Sequence, residues 1–255
     1  MLYDTIALYN NYLKQNFTAE TARTYTAHIK PLLKNQSVNF TADKLDVEKV
    51  LDILSGIKYK NNFSKCKNAF LHFCDFLGVD LGDKYIARIE DLHHGTTRRY
   101  RKLKHIDIEA IEKKIKGLRN PKLKLSYQTM LATGLRVGEL AQITKDDCLI
   151  TADEIHFSFV GKGGISCSVV ISRHENPRFY DDLILLIENA KHKIFYSTIY
   201  LQIDAKKLGF TCHDLRRIYS RAEYKKTKSK EAVRRKLRHT NIKTTNIYLK
   251  SKFKK

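Results

Sequence analysis

The sequence predicts a mainly α protein of two domains: an N-terminal helical bundle, then an α-rich domain with a small antiparallel β-sheet. Three observations predict it. Apolar residues recur at helical spacing along most of the 255 residues. One stretch, 154–172, instead alternates apolar and polar residues around a glycine-rich turn. Charge is also divided unevenly, with 12 Lys/Arg against 11 Asp/Glu in residues 1–92 and 36 against 16 in residues 93–255. Residues 1–92 are therefore read as the first domain, 93–105 as a basic linker and 106–255 as the second domain.

In the first domain, Leu2, Ile6, Tyr9 and Leu13 mark one helix. Tyr25, Ile29, Leu32 and Leu33 mark a second over about 19–34, which Pro31 bends or ends. Asp46 is the expected N-cap of a third, carrying Val47, Val50, Leu51 and Leu54 and closing near Gly56. Ala69, Phe70, Phe73, Phe76 and Leu77 form the inner face of a fourth that stops at Gly78. Four such helices make a small bundle. Its near-neutral charge offers little general pull on a polyanion, although Lys58, Lys60, Lys65 and Lys67 form a local basic face.

Residues 93–104 read HHGTTRRYRKLK and lack apolar periodicity. Arg98, Arg99, Arg101, Lys102 and Lys104 are expected to follow a phosphate backbone between the domains; a solvated charge run is the plainer alternative. Beyond the linker, Ile108, Ile111 and Ile115 lead a helix to Gly117, and Pro121 opens another that Gly134 breaks. Arg136 starts a helix with Val137, Leu140 and Ile143, and Glu139 lies one turn from Arg136. The 154–172 stretch reads as a hairpin turning at Gly161–Gly164, with Lys162 at its tip. Helices resume near Arg178 and again through Ile199 to Leu208.

The net charge of +21 makes nucleic acid the expected partner. No apolar run approaches a membrane span, no signal peptide is read, and no lipidated or amphipathic anchor is visible. Five cysteines without a CxxC pair suit reduced thiols rather than a disulfide framework or zinc site. A cytoplasmic, DNA-associated protein is the expectation.

The densest signal is 211–248, TCHDLRRIYSRAEYKKTKSKEAVRRKLRHTNIKTTNIY. His213 and Arg216 share a helix face, His239 follows, and Tyr248 lies nine residues further on. Two proton handlers, an anion clamp and a phenol form a kit for attacking a phosphodiester. Arg136 in TGLRVGEL supplies a second cation.

These residues resemble the tyrosine recombinase (integrase) family. The likeness rests on Thr133–Leu140, on His213, Asp214, Leu215 and Arg216, and on His239 followed by Thr244, Thr245 and Tyr248; Lys162 in its glycine-flanked turn fits the family's β-turn lysine. It implies the tyrosine recombinase fold, with 1–92 as a core-binding DNA clamp. It implies that Tyr248 attacks the scissile phosphate to give a 3′-phosphotyrosine, while Arg136 and Arg216 stabilise the developing charge. His213 would serve as base and then acid, His239 as a phosphate donor, and Lys162 would protonate the departing 5′ oxygen. No metal or other cofactor is implied, because one phosphoester replaces another. Double-stranded DNA is the implied partner, bound by a homotetramer on paired sites. Two departures are Arg217, where a histidine is common, and Arg238, where glycine is usual. A type IB topoisomerase-like relaxing enzyme and a DNA-binding protein with an inactive site are the alternatives. The closing residues, LKSKFKK, are expected to form a basic tail that acts at most as a minor clasp on a neighbouring protomer.

Overall fold

A computed structural model describes residues 2–34, 45–97, 105–161, 164–250 and 252–253. The chain forms two compact units, Met1–Lys102 and Leu103–Lys255.

The first unit contains α1 (Leu2–Asn16), α2 (Ala19–Leu32), α3 (Val47–Ser55), α4 (Lys60–Leu77) and α5 (Gly82–Gly95). Thr18 caps α2, and Asp46 caps α3 by accepting from the Lys49 N–H. Pro31 falls in the last turn of α2, so the helix ends one residue later. The end of α4 is a Schellman turn in which Gly78 takes φ 67° and Val79 N–H reaches the Cys74 carbonyl. Tyr9, Leu13, Ile29, Phe63, Phe70 and Phe73 are fully buried together. The fifth helix is an addition to the four expected. Its N-cap, Leu81, offers no capping side chain, although Asp80 accepts from the Gly82 N–H, and among its described residues only Ile89 is buried, so its apolar stripe is weak. Arg88 ties it to α3 through two hydrogen bonds to Glu48, at 2.6 and 2.8 Å. The stretch read as linker thus begins inside α5, at His93–Gly95, and ends in a strand at His105.

The second unit runs β1 (His105–Ile106), α6 (Ile108–Lys116), α7 (Pro121–Thr133), α8 (Val137–Leu140), β2 (Cys148–Ile150), β3 (Glu154–Val160), β4 (Ser166–Ser172) and α9 (Pro177–Glu188). It continues through α10 (Thr198–Lys207), α11 (Cys212–Thr227), α12 (Lys230–Lys236), α13 (Ile242–Leu249) and β5 (Lys252–Phe253). Tyr127 and Met130 of α7 are wholly buried, and the helix packs against α6, α9 and α11. The expected hairpin is β3–β4, with Phe157 opposite Val169 and Phe159 opposite Cys167. β2 adds a third antiparallel strand that three residues are too few to announce. α8 stops at Leu140, short of the Ile143 expected within it.

Gly134 ends α7 at φ 64°, and a Cβ there would lie 2.3 Å from Cδ1 of Tyr219 on α11. Only glycine lets the turn before Arg136 approach α11 this closely. The tail is expected to be at most a minor clasp on a neighbouring protomer, and its described residues instead pair within the chain. Lys252 and Phe253 pair in parallel with His105 and Ile106 of their own chain. All five cysteines are free, and no described helix is long and apolar enough to cross a membrane.

Candidate active site

The site is built around Arg216. This residue projects from α11, which begins with a capping box. Thr211 Oγ accepts from the Asp214 N–H, and the Asp214 carboxylate accepts from the Thr211 N–H. His213 is the second residue of that helix, and Arg216 follows one turn on. Arg216 is 1% exposed, and its guanidinium donates to the carbonyls of Gly134 and Leu237. A single buried side chain thereby joins the turn before Arg136 to the turn before His239. Burial lowers the Arg216 pKa, to about 10, which leaves it cationic at neutral pH.

Arg136 is the N-cap of α8. Its backbone N–H donates to Glu139 at 2.8 Å and its Nη1 at 2.5 Å. Glu139 is 5% exposed and also accepts from Arg238 at 3.1 Å, while Arg216 Nη1 stands 3.9 Å away. Burial works to raise the Glu139 pKa, but the Arg136 backbone N–H, then its guanidinium and the Arg238 charge, outweigh it. The carboxyl titrates below its usual value. One carboxylate thus serves three guanidinium groups and leaves an excess of positive charge.

α12 ends at Lys236 with Leu237 as its C-cap, and Arg238 follows at φ 55° in a left-handed turn closed by the His239 N–H on the Arg234 carbonyl. Arg234, held by Glu231, donates back to the His239 carbonyl at 2.6 Å. The His239 ring is buried, with Nδ1 2.9 Å from the buried Thr245 hydroxyl. A Thr245 O–H that donates to Nδ1 leaves the ring hydrogen on Nε2, available to a phosphate oxygen. Burial, followed by the charges of Arg216, Arg136 and Arg238, pushes the His239 pKa down to about 4.

Tyr248 lies near the end of α13. Its hydroxyl is 3.3 Å from His213 Nδ1, its ring is 5.2 Å from the His239 ring, and the Arg217 guanidinium sits 5.9 Å over it. Burial first, and then Arg217 and Arg216, hold the His213 pKa below its ordinary value, so this imidazole is neutral and able to accept a proton at neutral pH. A cleft of about 370 Å³ is lined by Arg136, Glu139, Val160, Gly161, His213 and Arg216.

The structure brings together Arg136, His213, Arg216, His239 and Tyr248. Lys162 lies outside the described residues, although Gly161 beside it lines the cleft. Arg98, Arg99, Arg101, Lys102 and Lys104 also lie outside them. Sequence reasoning missed Thr245 as the partner of His239, because that bond joins two elements and leaves no local trace. Asp214 as a cap was readable in the Thr-x-x-Asp spacing. The Gly134 and Leu237 carbonyls that hold Arg216 had no signal at all.

The depressed His239 pKa has a thermodynamic consequence. An imidazole that ionises near 6.5 when unfolded and near 4 when folded stabilises the native state fully above pH 6.5 and loses that contribution as pH falls toward 4. Urea unfolding of wild type and His239→Asn at pH 7 and pH 4 should show an extra wild-type loss on the order of 2–3 kcal/mol. Equal losses in the two proteins would show that His239 is not held neutral.

Residues 101–255 match the Phage integrase family. No curated protein matches the chain. Among solved structures, a lambda integrase fragment in a dimer bound to a COC′ core site superposes with a TM-score of 0.63 and 17% identity, covering 96% of this chain and 94% of that one. The Tn1549 transposon integrase in complex with transposon right end DNA gives 0.60 and 15%, covering 96% and 94%. XerH recombinase bound to difH substrate gives 0.58 and 15%, covering 90% and 75%. At these identities the superpositions speak for the fold.

Proposed function

The chain belongs to the phage integrase family, and from that premise we propose that it is a tyrosine recombinase that cuts and rejoins double-stranded DNA at specific sites through a 3′-phosphotyrosine on Tyr248. The observation that carries this reading is the Tyr248 hydroxyl at hydrogen-bond reach of His213, in the same chain as Arg136, Arg216 and His239. A phenol with a pKa near 10 is ionised in only about one molecule per thousand at pH 7, a handicap of about 4 kcal/mol. A neutral His213 removes it by accepting the proton as the oxygen attacks phosphorus. Arg136 and Arg216 donate to the non-bridging oxygens, where a planar, permanently charged fork fits phosphate. The His239 Nε2–H supplies a neutral donor, and Lys162 on the hairpin turn protonates the leaving 5′ oxygen. The reverse sequence, with a second 5′ hydroxyl attacking the phosphotyrosine, rejoins the strand without external energy.

The contact between Tyr248 and His213 within one chain supports delivery of the nucleophile to its own site. Residues 1–92 serve as the opposing DNA clamp, the basic run 93–105 tracks the backbone between the domains, and four protomers assemble on paired sites. The direct test is a nicked duplex carrying the target site, whose short 3′ flank is lost on cleavage. Wild-type protein should become covalently attached to it, with the phosphate mapping to Tyr248. A protein that binds the duplex and never forms the adduct would be a DNA-binding protein only.

Reversing the charge of Arg98, Arg99, Arg101 and Lys102 tests the linker. Binding should weaken on every sequence, and the slope of log affinity against log salt should fall by several units. An unchanged slope, measured by fluorescence anisotropy across salt, would leave the run as solvated charge.

A further inference from the structure

Arg238 stands where backbone geometry argues against it. It follows Leu237, the C-cap of α12, at φ 55°, a conformation that crowds any side chain bearing a Cβ and that glycine fills most readily. The arginine is nevertheless built in. Its Nη2 donates to Glu139 at 3.1 Å, its Nη1 donates to the Lys236 carbonyl at 3.0 Å, and its guanidinium stacks over the Phe159 ring at 5.0 Å. The side chain is 16% exposed.

Two of these contacts, to Glu139 and Phe159, bear on the cleft's framework. Glu139 is the carboxylate that fixes Arg136 and stands 3.9 Å from Arg216. Its Oε2 accepts from the Arg136 N–H and from Arg238. With Arg238 gone, Oε2 has a free lone pair beside Arg216, and a rotation toward that guanidinium would neutralise charge meant for the phosphate. Phe159 belongs to β3, immediately before Val160 and Gly161, which line the cleft, and three residues before Lys162. Stacking on Phe159 therefore fixes the turn end of the hairpin to the turn that carries His239.

We propose that Arg238 is a positioning residue: it holds the Glu139 carboxylate away from Arg216 and locks the β3–β4 hairpin against the His239 turn, so that cations from three separate elements meet one phosphate. It acts through these partners: each terminal nitrogen donates to a group of the protein, and the side chain is 16% exposed. The proposal rests on the recombinase reading for its kinetic consequence, but its structural half stands by itself.

The test compares wild type with Arg238→Gly, Arg238→Lys, Glu139→Gln and the Arg238→Gly/Glu139→Gln double variant. Glycine suits the left-handed backbone, so Arg238→Gly should melt no lower than wild type. Its DNA affinity should stay within about threefold. Single-turnover adduct formation on the nicked duplex should fall roughly 10- to 50-fold, as for other losses of site pre-organisation. Lysine should recover part of that loss, because it keeps the charge and lacks the planar fork. The double variant should be less slow than the product of the two single effects, since both act in part through one carboxylate. Amide hydrogen exchange at Phe159 and Val160 should speed up about tenfold or more in Arg238→Gly. A wild-type cleavage rate in Arg238→Gly, loss of affinity equal to the loss of rate, or multiplicative effects in the double variant would each overturn the proposal. If wild type itself forms no adduct, the recombinase reading fails, and hydrogen exchange then decides alone: faster exchange supports the clamp, and unchanged exchange refutes it.

Discussion

Tyr248→Phe should abolish covalent attachment to DNA while leaving the protein folded and bound. The substitution removes one hydroxyl whose described hydrogen bond, to His213 at 3.3 Å, is exposed, so stability should change by no more than about 0.5 kcal/mol. The ring keeps its place against His239 and beneath Arg217. With no oxygen to attack phosphorus, adduct on the nicked duplex should fall below detection, and binding by mobility shift should match wild type. An adduct formed by the variant would move the nucleophile to another residue. Mixing Tyr248→Phe with Arg136→Ala probes delivery of the nucleophile. In-chain delivery predicts no recovery of cleavage, whereas exchange between protomers would rebuild one complete site.

Arg136→Ala and Arg216→Ala should each slow cleavage by about a hundred- to a thousand-fold, the usual loss for one donor to a developing oxyanion. Their effects on stability should part company. Arg136 is partly exposed and its main partner, Glu139, retains Arg238, so the variant should stay close to wild type. Arg216 is buried, and its loss strands the Gly134 and Leu237 carbonyls without donors. Leaving a buried acceptor without its donor typically costs about 1–3 kcal/mol for each group. Chemical unfolding should therefore rank Arg216→Ala well below Arg136→Ala, while single-turnover cleavage places them together. Equal stability of the two variants would mean that Arg216 serves the phosphate alone and does not join the two turns.

How much was legible depended on range. The helices of the first unit were readable wherever a cap and an apolar stripe coincided, as at Asp46 and Gly78. α5 was missed because its N-cap has no capping side chain and its apolar stripe is weak. The hairpin was readable from alternation, and β2 was not, since a three-residue strand exists only by pairing with β3. The tail reads as a short basic extension, yet Lys252 and Phe253 find partners in His105 and Ile106, almost the whole second unit away in sequence.

For the site, the sequence by itself determined which side chains are on offer. Arginine, histidine and tyrosine at Arg136, His213, Arg216, His239 and Tyr248 are the side chains proposed to attack a phosphodiester, and their order and spacing singled out the set. Tertiary structure alone decided how each is held. Arg216 spans two turns by donating to backbone carbonyls, which every residue possesses and no sequence pattern marks. His239 is kept neutral by burial and by three guanidinium groups, those of Arg216 and Arg136 brought from distant positions and that of Arg238 beside it. Arg238 reads as a departure from glycine until the fold sets it between Glu139 and Phe159. Side-chain chemistry is local and survives in the sequence. Protonation state and orientation depend on distance, burial and nearby charge, which only folding creates.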